Sequence, residues 1–442
     1  MVALAIAGAI VPAAAAAAQK SIWGPAQMPD GSSAFPLYRD LGVDNYQRQL
    51  PWSSAAPTRP ANPTDPADPA YRWPEAIDYA LAQGREHGID VALLVTTAPR
   101  WANGDRSPEW APTDPQDFAD FVTAASRRYP SVRHWMIWGE PNLEARFKPN
   151  APDDPVSART YAPILDAAYA ALKAVSPANV VIGGMTSSGG IVRPEPFLRA
   201  MRLPDRRPPR LDWFGHNPFP FRSPDLSKPT ISGGFRDISD LDTFEFELRQ
   251  VYAPLGIRPR MWLSEFTIPS DHASDAFGDA FVSREEQARW LTAAYEIADR
   301  VDSVEALGWF SLFDQRPETP SAGHWGLIDA SGDRKPSFDA YRAAPSRRFR
   351  PAVRAPGQIR RRRFVRRGLR VRVRPKVAGV VVVRLVNRRG RLVRRARRQL
   401  AADVTASIRL RRRRLRRGSY RLVVEAARAE SVTRRLRVLQ SG

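Results

Sequence analysis

Between residues 20 and 344 the chain alternates eight short apolar runs with eight stretches of helical period, and no other feature restricts its fold so strongly. A short, unbroken apolar run marks a parallel strand covered on both faces, whereas a half-exposed strand alternates apolar with polar residues. "IDVALLVTT" (89–97) and "NVVIGGM" (179–185) are of the first kind. Six further strand-like runs are "KSIWGPA" (20–26), "DNYQRQLPW" (44–52), "HWMIWGEPN" (134–142), "LDWFGHNPFP" (211–220), "RMWLSEFTI" (260–268) and "VEALGWFSLFD" (304–314). Helical periodicity fills the intervals, as in "WPEAIDYALAQGREHG" (73–88) and "TDPQDFADFVTAASRRY" (113–129), the latter opening on capping residues. Helices are also expected at 34–42, 159–175, 194–202, 240–252, 283–300 and 335–344. Eight strand–helix units in about 325 residues predict a (β/α)8 TIM barrel. An open doubly wound sheet is the alternative, but no Gly-rich phosphate loop follows any strand.

The rest of the chain differs in kind. From Ser346 onward lie 34 of the 68 basic residues and only 3 of the 46 acidic ones, so the preceding part is net acidic although the whole is +22. "LRVRVRP", "GVVVVRLV", "ASIRLRR" and "SYRLVVEA" alternate apolar residues with arginine at period two, the mark of strands with one wet face. With "NRRGR" as a hairpin turn, six or seven such strands predict a small all-β immunoglobulin-like sandwich. The expected division is a signal peptide over 1–18, the barrel over 19–345, a Pro/Ala/Arg linker over 346–357 and the Arg-rich sandwich over 358–442. The opening apolar run ends on Ala16-Ala17-Ala18, an Ala-x-Ala cleavage pattern, so a secreted or wall-associated protein is expected, with an uncleaved anchor as the alternative. There is no cysteine, which excludes disulfides and thiolate metal sites.

Barrel chemistry sits on the loops after the strands. Glu140 ends strand four and Glu265 ends strand seven, so the two carboxyls can face each other across the mouth. Facing carboxyls cannot both ionise easily, which keeps one an acid while the other stays a nucleophile. That is the equipment of glycoside hydrolysis. The plainer explanation is two unrelated strand-end acids. Sugar faces stack on aromatic rings, and Trp23, Trp52, Trp101, Trp138 and Trp309 all fall near strand ends, although core packing explains any one of them. Asn103, Asn142 and Asn217 are candidate hydroxyl contacts or turn caps, and His216 is a candidate site residue or a structural histidine. Glu285 and Glu286 sit in a first helical turn and read as structural; Glu144 and Glu318 read as solvated loop acids. No cluster has metal-ligand spacing, so neither metal nor cofactor is expected.

The pattern "WMIWGEPN" followed by "MWLSEF" resembles clan A of the glycoside hydrolases, especially families 5 and 39. The resemblance covers the barrel and none of the basic tail. It implies a retaining enzyme with Glu140 as acid/base and Glu265 as nucleophile. It further implies that Trp309 floors the −1 subsite and that His216 is the strand-six histidine. "HWGLIDASGDRKPSFDAY" (324–341) resembles the closure common after strand eight. Two positions depart from the pattern. Gly139 stands where the family has an asparagine that holds the sugar 2-hydroxyl, and Pro218 and Phe219 stand where a strand-six tyrosine is often found.

The expectation is therefore a secreted, monomeric retaining glycoside hydrolase acting on a carbohydrate. The alternative is a non-catalytic glycan- or wall-binding protein on a degenerate barrel. The basic tail is expected to meet an anionic cell-wall polymer, since concentrated positive charge attracts polyanions by counterion release. Arginine also outnumbers lysine about tenfold along the chain, as a GC-rich genome would produce. No specific nucleic acid is expected, because the tail has no base-reading motif and few aromatics.

Overall fold

The computed structural model describes residues 17–273, 280–315, 323–411, 415–429 and 431–440. It contains two compact units, Ala18–Ala344 and the chain from Pro345 onward. The residues 1–16 of the signal-like run and the loop acid Glu318 lie outside the described residues.

In the first unit eight parallel strands close into a barrel: β1 (Gln19–Trp23), β2 (Asn45–Pro51), β3 (Asp90–Thr96), β4 (His134–Ile137), β5 (Val180–Ser187), β6 (Trp213–Asn217), β7 (Arg260–Phe266) and β8 (Val304–Trp309). They pair in chain order, and β8 returns to β1 through Gln19↔Ala306. A helix follows each strand within its unit, among them Pro115–Arg128, Val156–Val175 and Arg284–Arg300. Local chemistry sets their ends. Asp114 accepts from the Gln116 amide ahead of a proline at the first helical positions, and Ser283 caps Glu286 N–H at 3.1 Å, with Glu285 and Glu286 in the first turn as expected.

Strand alternation sorts the core into two layers. Ala92, Leu94, Met136, Ile182, Trp262 and Ala306 fill the barrel interior, while Leu93, Val95, Trp135, Ile137, Val181, Leu263 and Leu307 pack under the helices. His134, Trp213 and Trp262, at the starts or early positions of β4, β6 and β7, stack with centroids 5.1–5.8 Å apart and plug the amino-terminal end. Burial pushes the His134 imidazole down to about 4, so it is a neutral packing ring.

The second unit holds β9 (Ala352–Arg354), β10 (Gln358–Arg360), β11 (Leu369–Arg374), β12 (Gly379–Asn387), β13 (Leu392–Leu400), β14 (Ala406–Leu410), β15 (Gly418–Glu425) and β16 (Val432–Leu439). One sheet runs β10-β16-β15-β12-β13 and the other β14-β11-β9, and both contribute to one core that includes Val353, Val371, Val373, Val383, Leu385, Leu422 and Val424. The "NRRGR" turn forms as expected: Asn387 Oδ1 accepts from the amides of Arg389 and Arg391 at 3.0 Å, with Gly390 at φ 76°. Two features differ from the expectation. Residues 352–354, inside the stretch read as linker, form an edge strand on β11, because even three residues can bury one valine there. β13 carries four arginines and lacks alternation, and its strand state comes from pairing with β12 along nearly its whole length.

Candidate active site

Two irregularities of the barrel shape its carboxyl-terminal mouth. Between β7 and β8 the register advances three residues from Leu263 to Phe266 against two from Leu307 to Trp309, so β7 carries a bulge. The bulge turns the Ser264 carbonyl inward, where it accepts from Gln47 Nε2 at 2.8 Å and Trp23 Nε1 at 3.2 Å. It also resets the alternation. Trp262 and Ser264 face the interior, and Phe266 packs under the helices, so Glu265 is left pointing into the mouth. Gly308 makes room for this: a Cβ there would lie 2.0 Å from the Ser264 oxygen.

The second irregularity falls between Gly183 and Thr186 of β5 and presents the Met185 carbonyl, which accepts from Glu140 N–H at 3.0 Å. Glu140 sits three residues beyond β4. Both it (φ 49°) and Trp138 (φ 59°) adopt the left-handed region, a conformation that costs non-glycine residues about 1–3 kcal/mol and is found where surroundings over-determine it. Here the restraints are visible. Trp138 N–H donates to Val95 O at 2.8 Å, and its indole N–H donates to Arg146 O at 2.9 Å.

Glu140 and Glu265 line one cleft of about 760 Å³, together with Leu143, Arg146, Ser187–Gly190, Phe219–Phe221, Phe310, Gln315 and Trp325. Its size is that of small-ligand sites. Asn217 Nδ2 donates to Glu140 Oε1 at 3.1 Å, and Arg146 Nε lies 3.8 Å from Oε2. Burial raises Glu140, opposed by Asn217, Arg146 and Ser187, all of which favour its charged form. Burial, then the charge of Glu140, pushes Glu265 up to about 8, with Arg146 opposing. Each carboxyl thus holds back the ionisation of the other, and Glu265 is the one raised further.

Of the residues singled out in the sequence, Glu140 and Glu265 line this cleft, and the buried Asn217 is tied to Glu140. The others do other work. Trp309 faces outward and packs on Phe266, and its neighbour Phe310 lines the cleft: Ala306 and Gly308 face inward on β8, so position 310 does as well. His216 is likewise outward, between Thr186 Oγ1 (2.9 Å), Arg236 O (3.0 Å) and the Phe244 ring, and burial lowers it to about 4. Trp101 donates to Ala56 O and lies edge-on to Trp52 under Arg59. Asn103 braces its own loop through Ala98 O, Ser107 O and Arg106 N. Asn142 is wholly buried and ties the Glu140 loop to the next one, donating to Ser187 O, Gly189 O and Val192 O and accepting from Ser187 N. Trp23 and Trp52 are core residues. None of the five tryptophans lines the cleft; its aromatic walls are Phe219, Phe221, Phe310 and Trp325.

Arg146, Phe221 and Trp325 escaped the sequence reading because they lie in loops, where no periodicity assigns a direction. Trp325 belongs to the closure segment 324–341, which is anchored by the buried Lys335 on Asp314 (2.7 Å), Ser270 and His324 O. At Gly139 a Cβ would approach Leu94 Cδ2 at 3.3 Å, and the amide touching Glu140 comes instead from Asn217 of β6. Among the described residues no group of three or more potential ligands could hold a metal ion.

No protein-family model matches this sequence, and no curated protein is significantly similar to it. Solved structures do resemble it. A family 39 glycoside hydrolase from Bacteroides cellulosilyticus WH2 superposes with a TM-score of 0.54 at 16% identity, over 89% of this chain and 81% of that one. A monomeric beta-xylosidase from Caulobacter crescentus CB15 gives 0.51 at 15% identity, over 90% and 95%. At these identities the likeness establishes the fold, a (β/α)8 barrel with an added β unit.

Proposed function

We propose that the chain hydrolyses O-glycosidic bonds of an oligo- or polysaccharide with retention of configuration. One observation carries this reading: two strand-end carboxyls face one aromatic-walled cleft, both raised by burial and Glu265 further by the charge of Glu140, which favours one protonated and one charged group. A double displacement needs those two states. The nucleophile adds to the anomeric carbon as the acid protonates the departing oxygen; water then attacks the glycosyl ester, giving its proton to the group that acted as acid. Asn217, buried beside the cleft, donates to Glu140 Oε1 and steadies that carboxyl. Export of the chain remains part of the proposal, motivated by its opening residues.

The resemblance makes Glu140 the acid/base and Glu265 the nucleophile. A second reading exchanges these roles, and the hydrogen bonding favours it, since Asn217, Ser187 and Arg146 all stabilise charge on Glu140. An activated 2-fluoro glycoside separates the two by the residue it labels. With Glu140 as acid, the label falls on Glu265, and Glu140→Ala slows substrates with poor leaving groups by about 10²–10⁴-fold while sparing activated ones, which azide then rescues. Label on Glu140 establishes the exchanged roles. Inverted product by NMR, or no turnover across a panel of aryl glycosides and wall polysaccharides, refutes the proposal and leaves the non-catalytic alternative.

A further inference from the structure

The three-stranded sheet of the second unit turns one face to its core and the other to solvent. Val353, Leu369, Val371, Val373, Ile408 and Leu410 point inward. The alternate positions are Ala352, Arg354, Arg370, Arg372, Arg374, Ser407 and Arg409, all exposed. Strand register then decides which arginines are neighbours. Arg372 pairs directly with Arg354 across β9 and β11, and Arg370 pairs with Arg409 across β11 and β14. Directly opposite residues lie about 5 Å apart, and like charges so placed destabilise a sheet. Of the five, Arg374 has an acid, Asp403 at 3.3 Å; the other four have no acidic partner among the described residues.

We infer that this face is a docking surface for a linear acidic polysaccharide. Arg421 also stands opposite Arg435 on the five-stranded sheet, but the outward side of that sheet carries an acid, Glu425, against Arg384. On the three-stranded face the pleat places four arginines with no acidic partner among the described residues in two cross-strand pairs, their backbones about 4.8 Å apart between strands and ~6.8 Å along them. Guanidinium forks match carboxylate and sulfate groups in bidentate fashion. The face offers no aromatic platform, which single-stranded nucleic acid requires, and no helix or ribbon to enter a groove. The choice of a polysaccharide among polyanions rests on the glycosidase reading of the barrel; binding is measured without turnover, so either can fail alone.

The test uses the full chain, with polygalacturonate as the probe, neutral dextran as the uncharged polymer and duplex DNA as the competing polyanion. R354Q/R370Q/R372Q/R409Q should weaken polygalacturonate binding at low salt at least about tenfold and flatten its salt dependence. R395Q/R397Q/R421Q/R435Q removes the same charge from the five-stranded sheet, including its Arg421–Arg435 pair, and should weaken binding by less than about threefold. Without polymer, the first variant should melt no lower than the parent, since it removes like-charge pairs. Equal losses in both variants reduce the effect to a diffuse field and overturn the inference. So does dextran binding as tightly as polygalacturonate, or DNA binding more tightly at matched ionic strength.

Discussion

Glu140 and Glu265 owe their behaviour to what surrounds each carboxyl. Both are raised by burial, and Glu265 bears the additional charge of Glu140, which places the loss of its proton at about 8. The proposed double displacement needs one proton on the pair. Activity should therefore fall on the acid side as the second carboxyl protonates, and on the alkaline side as the last proton leaves. kcat/KM should show an alkaline limb near 8. Arg146 lowers both groups, so Arg146→Gln should move that limb to higher pH, because removing a cation disfavours the ionised forms. A limb that stays in place in the variant would mean that Arg146 does not act on the pair in solution. Glu140 was legible in the sequence as the acid of a strand-end turn; Arg146, six residues later in the same loop, was not, because its nearness to Glu140 depends on how that loop closes.

At the scale of elements, β7 is the decisive piece. Its bulge converts a residue that strict alternation would send under the helices into one that faces the cleft, and Gly308 on β8 supplies the space. Gly308→Ala would drive a methyl against the Ser264 carbonyl, 2.0 Å from where the oxygen now sits. We expect a loss of about 1–3 kcal/mol in stability and of about 10²-fold in kcat/KM, since an ångström of misplacement suffices for that. Unchanged kcat/KM with a lowered melting temperature would show that the bulge does not aim Glu265. The same alternation explains why Trp309 and His216 lie outside the cleft. Trp309 and His216 lie one position from the inward-facing Phe310 and Asn217, and a one-residue shift exchanges the two faces of a strand.

The whole molecule divides its charge as it divides its fold. The acidic barrel unit ends at Ala344 and contains every residue lining the candidate cleft, while the basic unit contains none. A chain ending at Pro345 should fold and keep turnover of small soluble aryl glycosides within about twofold, because no group that touches the reacting atoms is lost. Insoluble product or loss of turnover would make the basic unit necessary to the barrel's folding or chemistry. Among the described residues no helix is long and apolar enough to cross a membrane.

Periodicity is a local property, so the sequence alone determined the eight βα units, the alternating strands of the basic unit and the two strand-end glutamates. Direction is not local. Whether a side chain at a strand end faces the barrel axis or the helices depends on register with the neighbouring strands, and a single bulge inverts it. That register aimed Glu265 at Glu140, put Phe310 rather than Trp309 in the cleft, and brought Asn217 to the carboxylate. It also set Arg354 opposite Arg372 and Arg370 opposite Arg409, pairs that the alternation of each strand implies only once its partner and register are known.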